Sequence, residues 1–349
     1  MSDPVRIAVI GLGDIGARHL EIARREPACT VVAVADPSTA AAGRAERAGC
    51  AYFADYREML DRGGIDGAIV AVPNQLHAPV AHACVEHGVH ALVEKPFTDT
   101  VAAGQALVAA ARAAGVRLAV GHHRRFDPAT ERAHALIADG AIGEILAVQC
   151  TWAARKHDTY YDVQWRREPG GGGPVLINLI HDIDLLRHLC GDIVRVHAEV
   201  GPKVRGHAVE NTVAVTLRFA TGAVGTALVS DATPSPWTWE AATGDNPALP
   251  ASGRNAYRFM GSEGALGFPR LELWRHADVR TGSWLDPIAS TAVETGSRAA
   301  IARQLAQFCR VVRGEEEPRT SGEDGLATLA ATVAVLESGR TGEPVVPAC

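Results

Sequence analysis

Residues Val5 to Ala17 read VRIAVIGLGDIGA, a short apolar run followed by Gly11-x-Gly13-x-x-Gly16 and the start of a helical pattern. No other stretch constrains the fold as strongly, because each glycine has a separate mechanical task. Gly11 permits a tight strand-to-helix turn, Gly13 lets backbone N–H groups approach a pyrophosphate, and Gly16 lets the helix pack close to the strand. Leu12, Asp14 and Ile15 complete this loop and the helix start, whose N-terminus supplies partial positive charge to phosphates. Alone, such a motif is weak. Here a second apolar run, Thr30 to Ala35, ends in Asp36, twenty residues after Gly16. An acid at that strand end accepts hydrogen bonds from both adenosine-ribose hydroxyls and repels a 2′-phosphate, so NAD is expected in preference to NADP.

The remainder of the first 120 residues alternates between strand and helix. Strand patterns at Val5–Ile10, Thr30–Ala35, Gly67–Val72, Val89–Val93 and Arg117–Val120 are continuously apolar, as in a parallel sheet covered on both faces. Helical patterns lie near Asp14–Arg25, Ala40–Ala48, Tyr56–Leu60, Leu76–Glu86 and Val101–Ala113. This alternation predicts an α/β fold with a doubly wound parallel sheet. After Gly121 the pattern changes. A helix over Pro128–Asp139, a strand near Ile145–Ala153, a polar and aromatic loop (Arg155–Gly173) and a helix over Val175–Cys190 come first. Strand patterns follow at Ile193–Val200, Thr212–Phe219, Ala223–Ser230, Ala256–Gly261 and Arg270–Arg275, with a long loop at Thr233–Gly253. Two helices, Arg298–Val312 and Gly322–Ser338, close the chain. Successive strands with few helices between them predict a second, mostly antiparallel open sheet. We therefore expect two domains, residues 1–124 and 125–349.

Composition excludes several classes. The net charge of −6 and the lack of a basic stripe argue against nucleic acid. No apolar run is long enough to span a membrane, and Met1-Ser2-Asp3 lacks the basic region of a signal peptide. Cys29, Cys50, Cys84, Cys150, Cys190, Cys309 and Cys349 are scattered and odd in number, which predicts reduced thiols in a cytoplasmic protein. The 14 histidines form no H-E-x-x-H or Cys/His cluster, so no metal site is expected. Only three of the 34 basic residues are lysines, namely Lys95, Lys156 and Lys203. Where arginine serves for most positive charges, a remaining lysine invites a role that needs a compact donor with a tunable pKa.

Ligands of open α/β sheets bind at the carboxyl ends of the strands. Three such ends carry chemistry here: Val72-Pro73-Asn74 with His77 one turn on, Glu94-Lys95-Pro96, and Gly121-His122-His123-Arg124-Arg125-Phe126. Glu94-Lys95 also suits an exposed ion pair, but the glycine fingerprint ahead of it favours function. Arg124 and Arg125 suit a carboxylate or the domain junction. In the helix from Val175, a helical wheel puts Leu176, Leu179, Ile180, Ile183, Leu186 and Cys190 on one side. Asn178, His181 and Asp182 fall opposite, with Asp184, His188 and Leu185 nearby. A merely wet face usually carries Glu, Lys, Arg or Gln, which are better helix formers. The preceding run Gly170–Gly173 suggests backbone bending close to a ligand.

Together, Gly11-x-Gly13-x-x-Gly16, Pro73-Asn74-x-x-His77, Glu94-Lys95-Pro96, Arg124-Arg125-Phe126-Asp127, His181-x-x-Asp184 and the ending Ser321-Gly322-Glu323-Asp324-Gly325 resemble the Gfo/Idh/MocA family over essentially the whole chain. The resemblance implies a Rossmann domain and an α/β domain whose open sheet makes oligomer contacts, in a homodimer or homotetramer. It implies NAD(P)-linked oxidation or reduction of a sugar, cyclitol or related polyhydroxylated substrate. By the same resemblance Lys95 sits beside the reacting hydroxyl and His181 is the acid/base histidine. Many members carry an aspartate four residues before that histidine. Here the position is Ile177, leaving Asn178 or Asp182 to replace it, or no replacement. Arg124 and the loop pair Trp165-Arg166 are further substrate contacts to expect. Two other readings stay open: a glycosidase using NAD for transient oxidation, and a non-catalytic NAD-responsive binding protein.

Overall fold

Apolar strands joined by short helical crossovers can satisfy both faces only by stacking in parallel under helices. The computed structural model, which describes residues 3–246, 248–279, 281–294, 296 and 299–348, builds that arrangement first. Met1, Ser2, Arg298 (the expected start of a closing helix) and Cys349 lie outside the described residues. In chain order come β1 (Val5–Ile10), α1 (Asp14–Ala23), β2 (Cys29–Ala35), α2 (Ala40–Ala48), β3 (Ala51–Phe53), α3 (Tyr56–Arg62) and β4 (Gly67–Val70). Then follow α4 (His77–Glu86), β5 (His90–Val93), α5 (Val101–Ala114) and β6 (Leu118–Val120). The six strands lie in the order β3-β2-β1-β4-β5-β6, all parallel. β4 is buried at every position, as expected of a strand covered on both faces.

The second sheet begins after α6 (Pro128–Ala138), with β7 (Ile145–Ala153). α7 (Ile180–Cys190), β8 (Ile193–Val200), β9 (Thr212–Phe219), β10 (Val224–Ser230), α8 (Trp239–Thr243) and β11 (Tyr257–Gly261) follow. β12 (Ala265–Phe268), β13 (Glu272–His276) and β14 (Ile288–Ala292) complete a sheet ordered β14-β13-β12-β11-β7-β10-β9-β8. Among the described residues of this sheet, β7 and β10 alone pair in parallel. β9 alternates between buried Val213, Val215, Leu217 and Phe219 and exposed Ala214, Thr216 and Arg218. The buried side shares one core with Leu179, Ile183 and Leu186. The outward side exposes Val224, Leu228, Met260 and Trp274.

The last helices are α9 (Ala300–Val312) and α10 (Gly322–Thr341). The chain divides into two units, Met1–Phe126 with Ala299–Leu329, and Asp127–Arg298 with Ala330–Ala348. Thus the chain leaves the first unit after Phe126 and returns to it with α9, whose Leu305, Phe308 and Cys309 share a core with Ile7, Val9 and Ile69.

Several sequence expectations need correction. The long loop Thr233–Gly253 contains α8, started by the Thr238 side chain accepting from the Ala241 N–H. The strand expected from Arg270 starts at Glu272, because Leu271 takes a left-handed φ of 56° that no strand accommodates. β3, β12 and β14 are additional to the expected strands. The helix expected as one piece from Val175 opens with a π-helical turn, Val175–Leu179, before α7.

Candidate active site

In the first unit the glycine turn behaves as its mechanics require. Gly11 has φ +88°, and a Cβ there would stand 2.5 Å from the Ala71 carbonyl oxygen. At Gly16 a Cβ would lie 1.9 Å from the Gly11 oxygen, so helix and strand are packed backbone to backbone. Gly13 is different: it is exposed, and no atom lies within 4 Å of where its Cβ would be. It is the N-cap of α1 and supplies no side-chain cap, so the open space lies over N–H groups suited to an anion.

At the end of β2, Asp36 Oδ2 accepts from the Leu12 N–H at 2.7 Å and Oδ1 from the Ser38 N–H at 2.8 Å. The carboxylate is thereby fixed beside the glycine turn, with lone pairs left for a ribose diol. Arg44 Nη1 donates to the Leu12 carbonyl. These residues fit a dinucleotide: room and donors at Gly13, and an acid at the neighbouring strand end.

The ends of β4 and β5 are tied together. His77 is 1% exposed, and its Nδ1 and Nε2 face the Pro96 and Val72 carbonyls at 2.7 and 2.9 Å. Burial pushes its pKa below the usual imidazole value, against the upward pull of those carbonyls and Glu94. His77 thus braces the two turns that carry Val72-Pro73-Asn74 and Glu94-Lys95-Pro96. Glu94 is buried as well. Its Oε1 accepts from His19 Nε2 of α1 at 2.8 Å, and Oε2 accepts from the Lys95 N–H at 3.1 Å. Burial alone would raise the carboxyl pKa, but the His19 hydrogen bond and the charges of His19, Lys95 and His123 outweigh it and hold the pKa down at about 2. Glu94 therefore grips the backbone that presents the half-buried Lys95 side chain. His19 is absent from the residues that sequence singles out; its only signal is that a buried acid needs a partner. Arg125 is spent on structure, donating to the Arg319 carbonyl at 3.2 Å and pairing with Asp324 at 3.4 Å. Arg124, only 1% exposed, lies in the same short turn, His123–Phe126.

In the second unit the later glycines of the run meet protein atoms, whereas no atom lies within 4 Å of where a Cβ of Gly170 would be. A Cβ at Gly172 would stand 2.5 Å from the Arg166 carbonyl oxygen, and one at Gly173 2.4 Å from Glu210 Oε1. Glu210 also accepts from the Val175 N–H at 3.0 Å, satisfying a donor at the start of the π-helical turn. The extra residue in that turn shifts Val175–Asn178 relative to α7, whose own residues keep regular helical spacing. Asp182, placed by the wheel beside His181 on the polar face, is 1% exposed and accepts from the Tyr257 hydroxyl of β11. His181 itself is 8% exposed, on the first turn of α7. Asn178 Oδ1 accepts from Lys156 Nζ at 2.7 Å. Trp165 is exposed, and Arg166 donates Nη1 to the Tyr160 carbonyl at 3.1 Å. Lys156 and Tyr160 are not among the expected site residues, although the scarcity of lysine points at the former. Among the described residues no cluster of three His, Cys, Asp or Glu side chains could hold a metal, and no helix is long and apolar enough to cross a membrane.

A glycine turn with an acid at the next strand end and a lysine at the fifth is the equipment of a nicotinamide-linked oxidoreductase. Residues 5–122 match the family model described as an oxidoreductase family with an NAD-binding Rossmann fold, and residues 130–267 match the GFO/IDH/MocA C-terminal domain. The 1,5-anhydro-D-fructose reductase of Ensifer adhaerens is 29% identical, over 82% of this chain and 81% of its own. The scyllo-inositol 2-dehydrogenase (NAD(+)) of Bacillus subtilis is 27% identical, over 99% and 97%. The WlbA dehydrogenase from Bordetella pertussis, crystallised with NADH and UDP-GlcNAcA, has a TM-score of 0.81 at 25% identity, covering 99% of both chains. The chain belongs to the Gfo/Idh/MocA oxidoreductase family. It is a dehydrogenase or reductase acting on CH–OH groups, with NAD as its cofactor.

Proposed function

We propose that this enzyme interconverts a secondary alcohol and ketone of a sugar, cyclitol or related polyol, with Lys95 and His181 handling the proton. The observation that carries the reading is the position of Lys95. It stands at the carboxyl edge of the sheet that holds the glycine turn and Asp36, on a backbone gripped by Glu94. Bound NAD supplies the hydride acceptor. His181 takes the hydroxyl proton as the general base, and the Lys95 ammonium donates to the same oxygen as charge develops there. Residues 11–16, Asp36 and Val72-Pro73-Asn74 hold the dinucleotide, while His77 and Glu94 position the turns around it. Asn178 stands in for the aspartate many members carry, because Asp182 is engaged by Tyr257. Arg124, Trp165 and Arg166 contact the substrate.

The relatives named for 1,5-anhydro-D-fructose and scyllo-inositol support a polyhydroxylated substrate. The same proposal includes a homodimer or homotetramer built on the outward sheet face, and a cytoplasmic setting consistent with six free thiols among the described residues. The test is NADH absorbance over a panel of inositols, aldoses, hydroxy acids and glycosides. NADH formation with a polyol supports the reading. Sugar release without net NADH would establish the glycosidase instead, and NAD binding without turnover of anything would leave a binding protein.

A further inference from the structure

We infer that the second unit carries a subsite for an anionic substituent of the substrate, a carboxylate or phosphoryl group, built by Lys156 and Arg166 around Tyr160. This deepens the proposed function and rests on it for the location of the reacting alcohol at His181. Lys156 Nζ stands 4.4 Å, and the Arg166 guanidinium carbon 4.2 Å, from the centre of the same Tyr160 ring. Two cations sharing one aromatic ring repel each other, and the ring quadrupole offsets only part of that. No acid compensates Arg166: among the described residues it makes no ion pair, and its buried Nε has no hydrogen-bond partner. Asp231, the buried acid that ties down this loop, is spent on Arg205 at 2.8 Å and on the Tyr161 hydroxyl.

The pair is also held in place before any ligand arrives. The Lys156 N–H donates to the Asp231 carbonyl at 2.9 Å, and the Lys156 carbonyl accepts from Arg205 Nη2 at 3.2 Å. Its ammonium donates to Asn178 Oδ1, one helical turn before His181. Loops that merely need solubility do not fix a lysine at both backbone and side chain. Such preorganisation makes charge-assisted bonds to an anion cost little ordering. A neutral polyol leaves the Arg166 guanidinium without an acid, whereas an anionic one supplies it.

The experiment compares matched ligands in the gluco, galacto and manno series: the free aldose, its uronate and its 6-phosphate. Binding is measured by calorimetry on the NADH-loaded enzyme and turnover by NADH formation. The expected result is an advantage of about tenfold or more in Kd and KM for a charged member over its neutral parent. Whether uronate or phosphate leads identifies the group. Lys156→Gln and Arg166→Gln should each erase most of that advantage through KM rather than kcat, and Lys156→Arg should restore part of it. Thermal midpoints monitor folding, and either variant alone carries the test. Equal affinity for neutral and charged members, no binding by any, or an advantage that survives both substitutions overturns the subsite. Charge-dependent binding without NADH formation keeps the subsite and removes the proposed alcohol oxidation at Lys95 and His181. Turnover of neutral polyols with no charge preference does the reverse.

Discussion

His19 of α1 donates to the buried carboxylate of Glu94 at 2.8 Å, joining the helix that follows the glycine turn to the strand end that carries Lys95. The pair links cofactor geometry to chemistry within one unit, and its pH dependence has a definite sign. Glu94 is held at about 2, below its ordinary 4.5. A depressed carboxyl pKa contributes stability fully above the unfolded value, and that contribution disappears as pH falls from 4.5 toward 2. The gap corresponds to about 3 kcal/mol. Glu94→Gln should therefore lower the thermal midpoint at pH 7, with the difference from the parent shrinking steadily below pH 4.5. A difference independent of pH would mean the charge is not what matters.

Two glycines of the turn, Gly13 and Gly16, should separate by function. Gly16→Ala places a Cβ 1.9 Å from a backbone oxygen, and we expect a loss of several kcal/mol or failure to fold. Gly13→Ala meets no atom within 4 Å, and its φ of −64° suits alanine. Here we expect an unchanged thermal midpoint but NAD binding weaker by about tenfold or more, since the methyl group stands where the pyrophosphate approaches. Calorimetry and thermal denaturation on the same samples distinguish the two effects.

Asp36→Ser discards the negative charge that now accepts from the Leu12 N–H. The ratio of kcat/KM for NAD over NADP should fall by about tenfold. An unchanged ratio would show that Asp36 does not reach the ribose.

Lys95→Ala should lose about a hundredfold or more in kcat while retaining NAD affinity, the pattern of a group that handles charge only as the proton moves. His181→Gln should behave in the same way. Normal turnover in either variant would remove that residue from the mechanism.

Five strands of the first sheet are legible in the sequence because they are mostly apolar runs that close on turn or polar residues, such as Gly11, Asp36, Glu94 and Gly121. Three other strands are not. β3 is three residues of partial burial, β12 is four residues in a glycine-containing stretch, and β14 is exposed throughout, so nothing selects an apolar alternation there. The helix of His181 is visible in outline, but a uniform wheel cannot foresee the π-helical turn that opens it. His19 and Glu94 are 75 residues apart, and no spacing rule connects them. Lys156 is hinted at by composition alone; its company of Tyr160, Arg166 and Asn178 appears only once the loop is folded.

The return of α9 to the first sheet has a consequence for how this chain is made and cut. A nascent polypeptide emerging from the ribosome shows Ile7, Val9 and Ile69 long before Leu305, Phe308 and Cys309 exist to cover them. A fragment ending at Phe126 would therefore be sticky and short-lived. A free-standing nucleotide-binding piece requires splicing 299–329 directly onto 3–126, or moving the termini by circular permutation.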